Sequence, residues 1–285
     1  MLKLCINAGM GFDTPISENI AAAKNAGFDG IFHEWRNSEE TAEYAREIKK
    51  HGLIYQSIHA PFTGMASVWD CDRDHDCDRS DTRGDAYIET LISCADDCSR
   101  YSVPIMVCHA FIGFKDHSPT EIGLLRLERL VLHAEKRGII VAFENTEGEE
   151  YLDAIMKRFD SSPALGFCID TGHEMCYNRS KDMISLYGKK LCATHLNDNL
   201  GITGDEITFL DDAHLMPFDG KADWKRIAQR LNKFSFNGPL TFELTKNNKP
   251  GRNTHDIYAD MDINQFSREA YYRACKFAKL MQNNA

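Results

Sequence analysis

Ionisable side chains follow six successive apolar runs of this sequence, each at the point where the run ends. Each is a histidine or a carboxylate, and in chain order they are His59, His109, Glu144, Asp170, His195 and Glu243. Imidazole nitrogens and carboxylate oxygens, without thiolates, form a donor set that suits a divalent metal ion. Burying six such groups together would be costly unless an ion or a substrate used them. The pattern therefore predicts a metal site, provided that the fold brings these run ends together.

A further acid–imidazole pair lies between the last two apolar runs. Asp212 and His214 are separated by one residue, so a carboxylate and an imidazole can reach the same ion. The pair is a weak motif by itself. Its predicted position, in the long loop after the seventh run, makes it a candidate second-metal or substrate-binding element.

The apolar runs alternate with segments of helical periodicity, and this order determines where the polar residues lie. We predict strands at 3–8, 28–33, 53–59, 104–109, 139–144, 165–170, 191–195 and 240–243, with helices between them and a last helix at about 264–281. Regular alternation predicts right-handed βαβ units and a parallel sheet. Eight units in 285 residues fit an α/β fold, a closed (β/α)8 TIM barrel, as one domain spanning 1–285. The strand ends then meet at one mouth, where barrel active sites lie.

An open, doubly wound sheet is the alternative architecture. Such sheets usually carry a glycine-rich turn after the first strand. The corresponding run here, Asn7-Ala-Gly-Met-Gly-Phe12, lacks the third glycine of a dinucleotide-binding fingerprint. The closed barrel is therefore favoured.

Composition and charge limit the classes of partner. The chain has 43% hydrophobic residues, a net charge of −10 and no apolar stretch of about 18 residues, so no membrane span is predicted. An acidic chain is a poor candidate for gripping nucleic acid, which favours a small-molecule partner. Asn7 and Gly9 come too early for a signal-peptide apolar region, and the ten cysteines form no zinc pattern. We therefore expect a cytoplasmic protein with free, buried thiols.

The motifs together resemble those of the xylose isomerase-like TIM barrels, which include sugar-phosphate isomerases and epimerases and the zinc AP endonucleases. The resemblance covers nearly the whole chain and is carried by Phe143-Glu-Asn145, Asp170-Thr-Gly-His173, His195-Leu-Asn-Asp198, Asp212-Ala-His214 with Pro217 and Gly220, and Glu243.

In the isomerases and epimerases one divalent ion, Mn, Mg, Co or Zn, is held by a Glu, an Asp, a His and a Glu on successive strands. The resemblance implies Glu144, Asp170, His195 and Glu243 as these metal ligands. It also implies that the ion stabilises an enediolate formed from a keto sugar, while Glu144 and Glu243 act as catalytic acid and base. His173 would bind a substrate oxygen, and relatives of this type often form homodimers.

Two alternatives share this framework. The AP endonucleases hold three zinc ions, and their nine ligands would correspond to His59, His109, Glu144, Asp170, His173, His195, Asp212, His214 and Glu243. A dehydratase or lyase acting on a polyol ketone would use the same barrel. The net charge of −10 and the absence of basic insertions after the first strand favour sugar chemistry over DNA repair.

One difference from the family pattern and two further candidate binding residues bear on the identity of the substrate. Ketose 3-epimerases carry an Arg shortly after the seventh-strand His, whereas residues 196–201 contain none, which disfavours a free ketohexose. Trp35, after the second strand, is a candidate wall for a sugar face. The acidic segment 70–85 lacks the Gly and Glu of a calcium loop and is predicted to be a solvated loop. The functional alternative is a lid over the mouth, with Arg83 offered to an acidic substrate.

Overall fold

A computed structural model of the chain describes residues 2–70, 82–114 and 118–283. Its eight strands pair in parallel in the order β7-β6-β5-β4-β3-β2-β1-β8. The strands are β1 Leu4–Asn7, β2 Gly30–Glu34, β3 Ile54–His59, β4 Ile105–His109, β5 Ile140–Glu144, β6 Leu165–Asp170, β7 Leu191–His195 and β8 Leu240–Phe242. The predicted (β/α)8 barrel is confirmed. The extent of the domain, 1–285, stays a prediction.

Helices cover the outside of the strands in the described residues. They are α1 Ile16–Ala26, α2 Ser38–Lys50, α3 Met65–Val68, α4 Thr82–Arg100, α5 Glu121–Arg137, α6 Glu149–Arg158, α7 Thr171–Cys176, α8 Met183–Tyr187, α9 Trp224–Lys233 and α10 Ile263–Asn283. Side chains that accept hydrogen bonds from first-turn amides explain two of the helix starts. Asn37 accepts a hydrogen bond from the Glu40 amide at the start of α2, and Thr120 accepts one from Gly123 at the start of α5.

The strands lie where the apolar runs lie because a parallel strand of a barrel is covered on both faces. Every residue of β4 and of β6 is buried, including the polar residues that end them. Five of the eight strands, β3 to β7, end on the predicted polar residue, and β8 ends at Phe242, so that Glu243 follows the strand by one residue. The sequence pattern therefore places the polar groups correctly at one mouth of the barrel.

The barrel closes between β7 and β8 through a mixture of backbone and side-chain hydrogen bonds. The Leu196 amide donates to the Thr241 carbonyl at 2.8 Å, and the Thr241 amide donates to Thr194 Oγ1 at 3.0 Å. The Glu243 amide donates to the Leu196 carbonyl at 3.3 Å. This last bond fixes the backbone of Glu243 beside the end of β7.

The described residues also bear on the expected absence of a membrane span, the state of the cysteines and the segment after β3. No helix within residues 2–70, 82–114 and 118–283 combines the length and apolarity needed to cross a bilayer. The eight cysteines of these ranges are free thiols, and six of them are buried as predicted, whereas Cys192 is half-buried and Cys275 is exposed. Most of the candidate lid, at 71–81, lies outside the described residues.

Candidate metal centre and active site

Glu144, at the end of β5, is the centre of the polar cluster. Its Oε1 lies 2.9 Å from His195 Nδ1 and 3.5 Å from His173 Nδ1. Its Oε2 lies 3.3 Å from His59 Nε2 and 3.5 Å from His109 Nε2. The side chain is fully buried. Four imidazoles from different parts of the chain therefore converge on one carboxylate.

Two more carboxylates complete a set of four potential metal ligands. Glu144, Asp170, His195 and Glu243 each contribute one donor atom, and these atoms all lie within 4.8 Å of one another. Two donors about 2.1 Å from a shared ion are at most about 4.2 Å apart. The set therefore fits a single divalent ion after a small contraction, and its oxygen and nitrogen donors suit Mn, Mg, Co or Zn.

The charges in this cluster stabilise one another. Burial alone would raise the pKa of Glu144, but the imidazoles, His195 foremost, hold it well below its usual value. Burial likewise opposes ionisation of Glu243, yet His195 lowers its pKa to about 2. Asp170 is different, since burial raises its pKa to about 6 despite the attraction of His173. A bound cation would replace the imidazole protons as the partner of these carboxylates.

A second group of ligand-type residues lies beside the first. Asp212 Oδ1 lies 2.9 Å from His214 Nε2 and 3.5 Å from His173 Nε2. The Lys249 ammonium is 3.2 Å from Asp212 Oδ2. His173 joins the two groups, because its Nδ1 contacts Glu144. All nine residues of the larger ligand set thus lie together, and their individual roles stay predictions.

Hydrogen bonds to backbone carbonyls fix the orientation of two of the imidazoles. His59 Nδ1 is 2.7 Å from the Ala60 carbonyl, and His214 Nδ1 is 3.2 Å from the Glu243 carbonyl. A carbonyl only accepts, so each Nδ1 donates its proton there in the neutral ring. Each Nε2 then presents its lone pair to the cluster, which is the arrangement that metal-binding histidines need.

Hydrogen bonds from the motif residues that flank the candidate ligands connect the ends of neighbouring strands. Asn145 pairs with the backbone of Asp170, donating to its carbonyl at 2.9 Å and accepting from its amide at 2.7 Å. Asn197 Nδ2 donates to Asp170 Oδ2 at 2.7 Å, and Thr171 Oγ1 donates to the Asn197 carbonyl at 2.7 Å. A Cβ at Gly172 would lie 2.0 Å from the Asn197 side chain. Only glycine allows that approach, which explains the Asp-Thr-Gly-His sequence.

Asp198 organises the loop that carries Asp212 and His214. Its buried carboxylate accepts four hydrogen bonds of 2.8 to 2.9 Å, from the amides of residues 199, 218 and 222 and from the Trp224 indole. Its backbone pairs with Leu215 at 2.9 and 3.0 Å. This pairing holds the adjacent His214 in the left-handed region, at a φ of 51°.

Replacing Asp198 with Asn should destabilise the protein by about 3 kcal/mol and lower Tm by roughly 5–10 °C. The reason is that an amide has one oxygen, so its NH2 group would face two of the four donors. Thermal unfolding measures the change. Asp160→Asn is the control, because Asp160 is exposed. A Tm for the Asp198 variant within 2 °C of the unsubstituted protein would contradict this role.

The metal-free protein should lose stability as the pH rises from about 6.5 to 9. Burial opposes protonation of His214, but Asp212 raises its pKa to about 9, and Asp170 and Asp212 also raise the pKa of His173 despite its burial. Imidazoles with a higher pKa in the folded chain stabilise it below their unfolded pKa and lose this effect as the pH passes the folded value. Chelator-treated protein should therefore show a falling Tm across this window, with a shallower fall in His214→Gln. A Tm that is constant or rising in the unsubstituted chain would refute the charge assignment.

A cavity of about 830 Å³ lies over the cluster at the mouth of the barrel. The described residues that line it are Glu34, His59, Phe62, His109, Ile112, Gly113, Phe114, Glu147, His173, Tyr177, Phe209, Asp212, His214, Glu243 and Lys249. Glu243 and four of the histidines face this space directly. Fully buried Glu144 lies behind the histidines that it contacts.

The two candidate substrate residues lie away from this lining. The Trp35 indole donates to Asp97 Oδ2 on α4 at 2.8 Å, and the ring packs in the core. Arg83 is exposed in the first turn of α4. The structure brings neither residue to the described wall of the cavity.

Three charged residues of the cavity lining, Glu34, Glu147 and Lys249, are not among the candidates that the sequence indicates. Glu147 is buried, and burial raises its pKa to about 7. Glu34 ends β2, and Lys249 follows β8 by seven residues. All three lie near strand ends, which is the signal that the sequence offers for a residue at the barrel mouth. The sequence does not show, however, which loop residues turn toward the cavity.

Comparison with known proteins agrees with the fold and the motifs. The family model of the xylose isomerase-like TIM barrel matches residues 20–263. The uncharacterised protein y4fM of Sinorhizobium fredii is 26% identical over 264 residues, which cover 81% of this chain and 82% of that protein.

Solved structures share the fold at lower identity. D-psicose 3-epimerase of Clostridium cellulolyticum, solved with D-tagatose, is 15% identical with a TM-score of 0.72, covering 98% of this chain and 99% of that chain. The 3-keto-D-glucoside 4-epimerase YcjR of E. coli is 16% identical with a TM-score of 0.70, covering 97% and 100%. The match over residues 20–263 includes every residue of the polar cluster, and the chain belongs to the xylose isomerase-like TIM barrel family.

Proposed function

We propose that this protein is a divalent-metal-dependent isomerase or epimerase of keto sugars. The observation that carries the proposal is the four-residue set of Glu144, Asp170, His195 and Glu243, whose donor atoms lie within 4.8 Å of one another under a large cavity. The epimerase activities named for the structurally similar proteins support the substrate class.

The four residues of this set would hold the ion. A divalent ion there would supply Lewis-acid stabilisation of the negative charge that develops on the oxygens of an enolised sugar. The chain contributes the fixed orientation of the ligands. Asn145 and Asn197 hold the backbone and the carboxylate of Asp170, respectively.

Glu144 and Glu243 are the proposed proton-transfer residues. Both carboxylates approach His195 Nδ1, at 2.9 and 3.3 Å, so they lie next to each other at the centre of the set. Both have a lowered pKa, so each is ionised at neutral pH and can accept a proton from carbon. Glu243 lines the cavity and meets the substrate from the open side. His173 also lines the cavity and can donate a hydrogen bond to a substrate oxygen.

A three-metal phosphodiesterase is the second candidate, and specific geometry favours it. His59, His109 and Glu144 form a second ligand group in addition to the four-residue set. His173, Asp212 and His214 are also in contact. The assembly of these groups matches the nine-ligand pattern of the zinc AP endonucleases.

Charge around the cluster supports the sugar enzyme instead. The Lys249 ammonium lies 3.2 Å from Asp212 and supplies a positive charge where a third ion would otherwise be needed. The cavity is lined by Glu34, Glu147 and Glu243 as well as Asp212. Glu34 and Glu147 lie outside the nine-ligand set, so a DNA backbone would face their carboxyl groups without an intervening metal ion, which is unfavourable for binding.

The test is solvent deuterium exchange. Metal-loaded protein in D2O should introduce deuterium next to the carbonyl of at least one keto sugar in a panel of free ketoses, ketose phosphates and keto-glycosides, as followed by NMR. Chelation should stop the exchange, and an isomer or epimer should accumulate. Cleavage of abasic-site DNA, with no exchange into any of these sugars, would establish the second candidate.

A further inference from the structure

The cavity is much larger than one sugar ring. Its volume is about 830 Å³. A hexose has twelve heavy atoms, and even at the roughly 30 Å³ that each water occupies in the liquid it fills at most about 360 Å³. More than half of the cavity is therefore left for another part of the substrate.

The wall that leads away from the polar cluster is aromatic. The His173 and Tyr177 rings are 4.9 Å apart, and the Tyr177 and Phe114 rings are 5.8 Å apart. Phe209 lines the same cavity from the loop after β7. Phe114 and Phe209 are 44% and 53% exposed, which is unusual for phenylalanine. We name Phe114, Tyr177 and Phe209 the aromatic rim.

The charges of the cavity disfavour a phosphorylated substrate. Lys249 is the only lysine or arginine among the described lining residues, and its ammonium is paired with Asp212 at 3.2 Å. The Glu34 carboxylate lines the same wall, and the buried Glu147, whose pKa is raised by burial to about 7, adds negative charge when it is ionised. A phosphate would have to compete with Asp212 for this lysine and to approach several carboxylates.

We propose that the substrate is an uncharged keto-glycoside whose aglycone is aromatic and packs against the aromatic rim. This inference rests on the proposed sugar isomerase or epimerase activity and specifies its substrate. The keto sugar lies over the four-residue set, and the aglycone extends along Tyr177 and Phe114 toward the mouth. Rigid aromatic surfaces bind such groups with little loss of side-chain entropy.

Calorimetric binding to the metal-loaded protein tests this without depending on turnover. The probes are 4-nitrophenyl and methyl 3-keto-β-D-glucopyranoside, with fructose 6-phosphate as the anionic sugar. The nitrophenyl compound should bind at least about tenfold more tightly than the methyl compound, and the phosphate should bind most weakly. In the double variant Phe114→Ala, Phe209→Ala the nitrophenyl compound should lose most of its advantage while the methyl compound is unaffected.

Tyr272→Ala is the matched control, because Tyr272 is 67% exposed on α10, away from the cavity lining. Equal affinity for the two glycosides, no binding of the nitrophenyl compound, or tightest binding of the sugar phosphate would overturn the inference. These outcomes differ from failure of the proposed function. In that case no keto sugar exchanges deuterium, whatever the binding affinities.

Discussion

Replacing Glu144 with Gln should reduce solvent deuterium exchange into a bound keto sugar by about 100- to 10,000-fold. Glu144 is the fully buried carboxylate at the centre of the cluster, and its low pKa keeps it ionised and able to accept a proton. An amide cannot accept a proton from carbon, and removing a positioned general base costs about 10²–10⁴-fold in rate. The same loss is expected for Glu243→Gln. The measurement is NMR exchange at saturating metal ion, with metal content determined on the same sample.

Glu128→Gln is the control for this experiment, since Glu128 lies on the outer helix α5 and is partly exposed. Its exchange rate should equal that of the unsubstituted protein. Exchange that persists within tenfold in both Glu144→Gln and Glu243→Gln, with the metal still bound, would refute proton transfer by these two residues.

Replacing Asp170 with Asn should weaken divalent-ion binding by more than 100-fold. Asp170 is buried in the four-residue set, and burial raises its pKa to about 6, so the free carboxylate is poorly stabilised without a cation. Loss of a supporting residue alone costs about 10–100-fold in metal affinity, and loss of a direct ligand should cost more. Competition with a fluorescent chelator measures the change.

The Asp170 substitution preserves shape, but its single amide oxygen can replace only one of the two oxygens that accept from Asn197 and from the His173 amide. Thermal unfolding of the variant is therefore measured alongside ion binding. Asp160→Asn again serves as an exposed control that should bind the ion normally. If Asp170→Asn bound the ion within threefold of the unsubstituted protein, the four-residue ligand set would be wrong.

The sequence was sufficient to predict the barrel and the positions of its polar strand ends. Parallel strands covered on both faces must be apolar runs, so the histidine or carboxylate that ends a run marks the mouth of the barrel. The pattern was strongest at β6, where Asp170 ends the strand as predicted. It was off by one residue at β8, where Glu243 lies beyond the last strand residue because closure there relies on Thr194 and Leu196.

Contacts between distant parts of the chain could not be predicted in the same way. Nothing local to Asp198 shows that it accepts hydrogen bonds from amides 20 and 24 residues further along the chain. The inward direction of Glu147 and Lys249 depends likewise on how their loops fold over the mouth. Trp35 is a candidate wall for a sugar face by its position after β2, but its core packing and the hydrogen bond from its indole to Asp97 on α4 depend on the fold. The structure was thus needed to find the interactions that support the ligands, whereas most of the candidate ligands could be found from the sequence.

The number of bound metal ions distinguishes a single-ion sugar isomerase or epimerase from a three-zinc phosphodiesterase. Plasma mass spectrometry on untagged protein, prepared without chelators, gives the metal content per chain. We expect about one manganese, magnesium, cobalt or zinc ion, held by Glu144, Asp170, His195 and Glu243, with Lys249 serving at Asp212 in place of a further ion. About three zinc ions per chain would contradict it and would favour the nine-ligand phosphodiesterase.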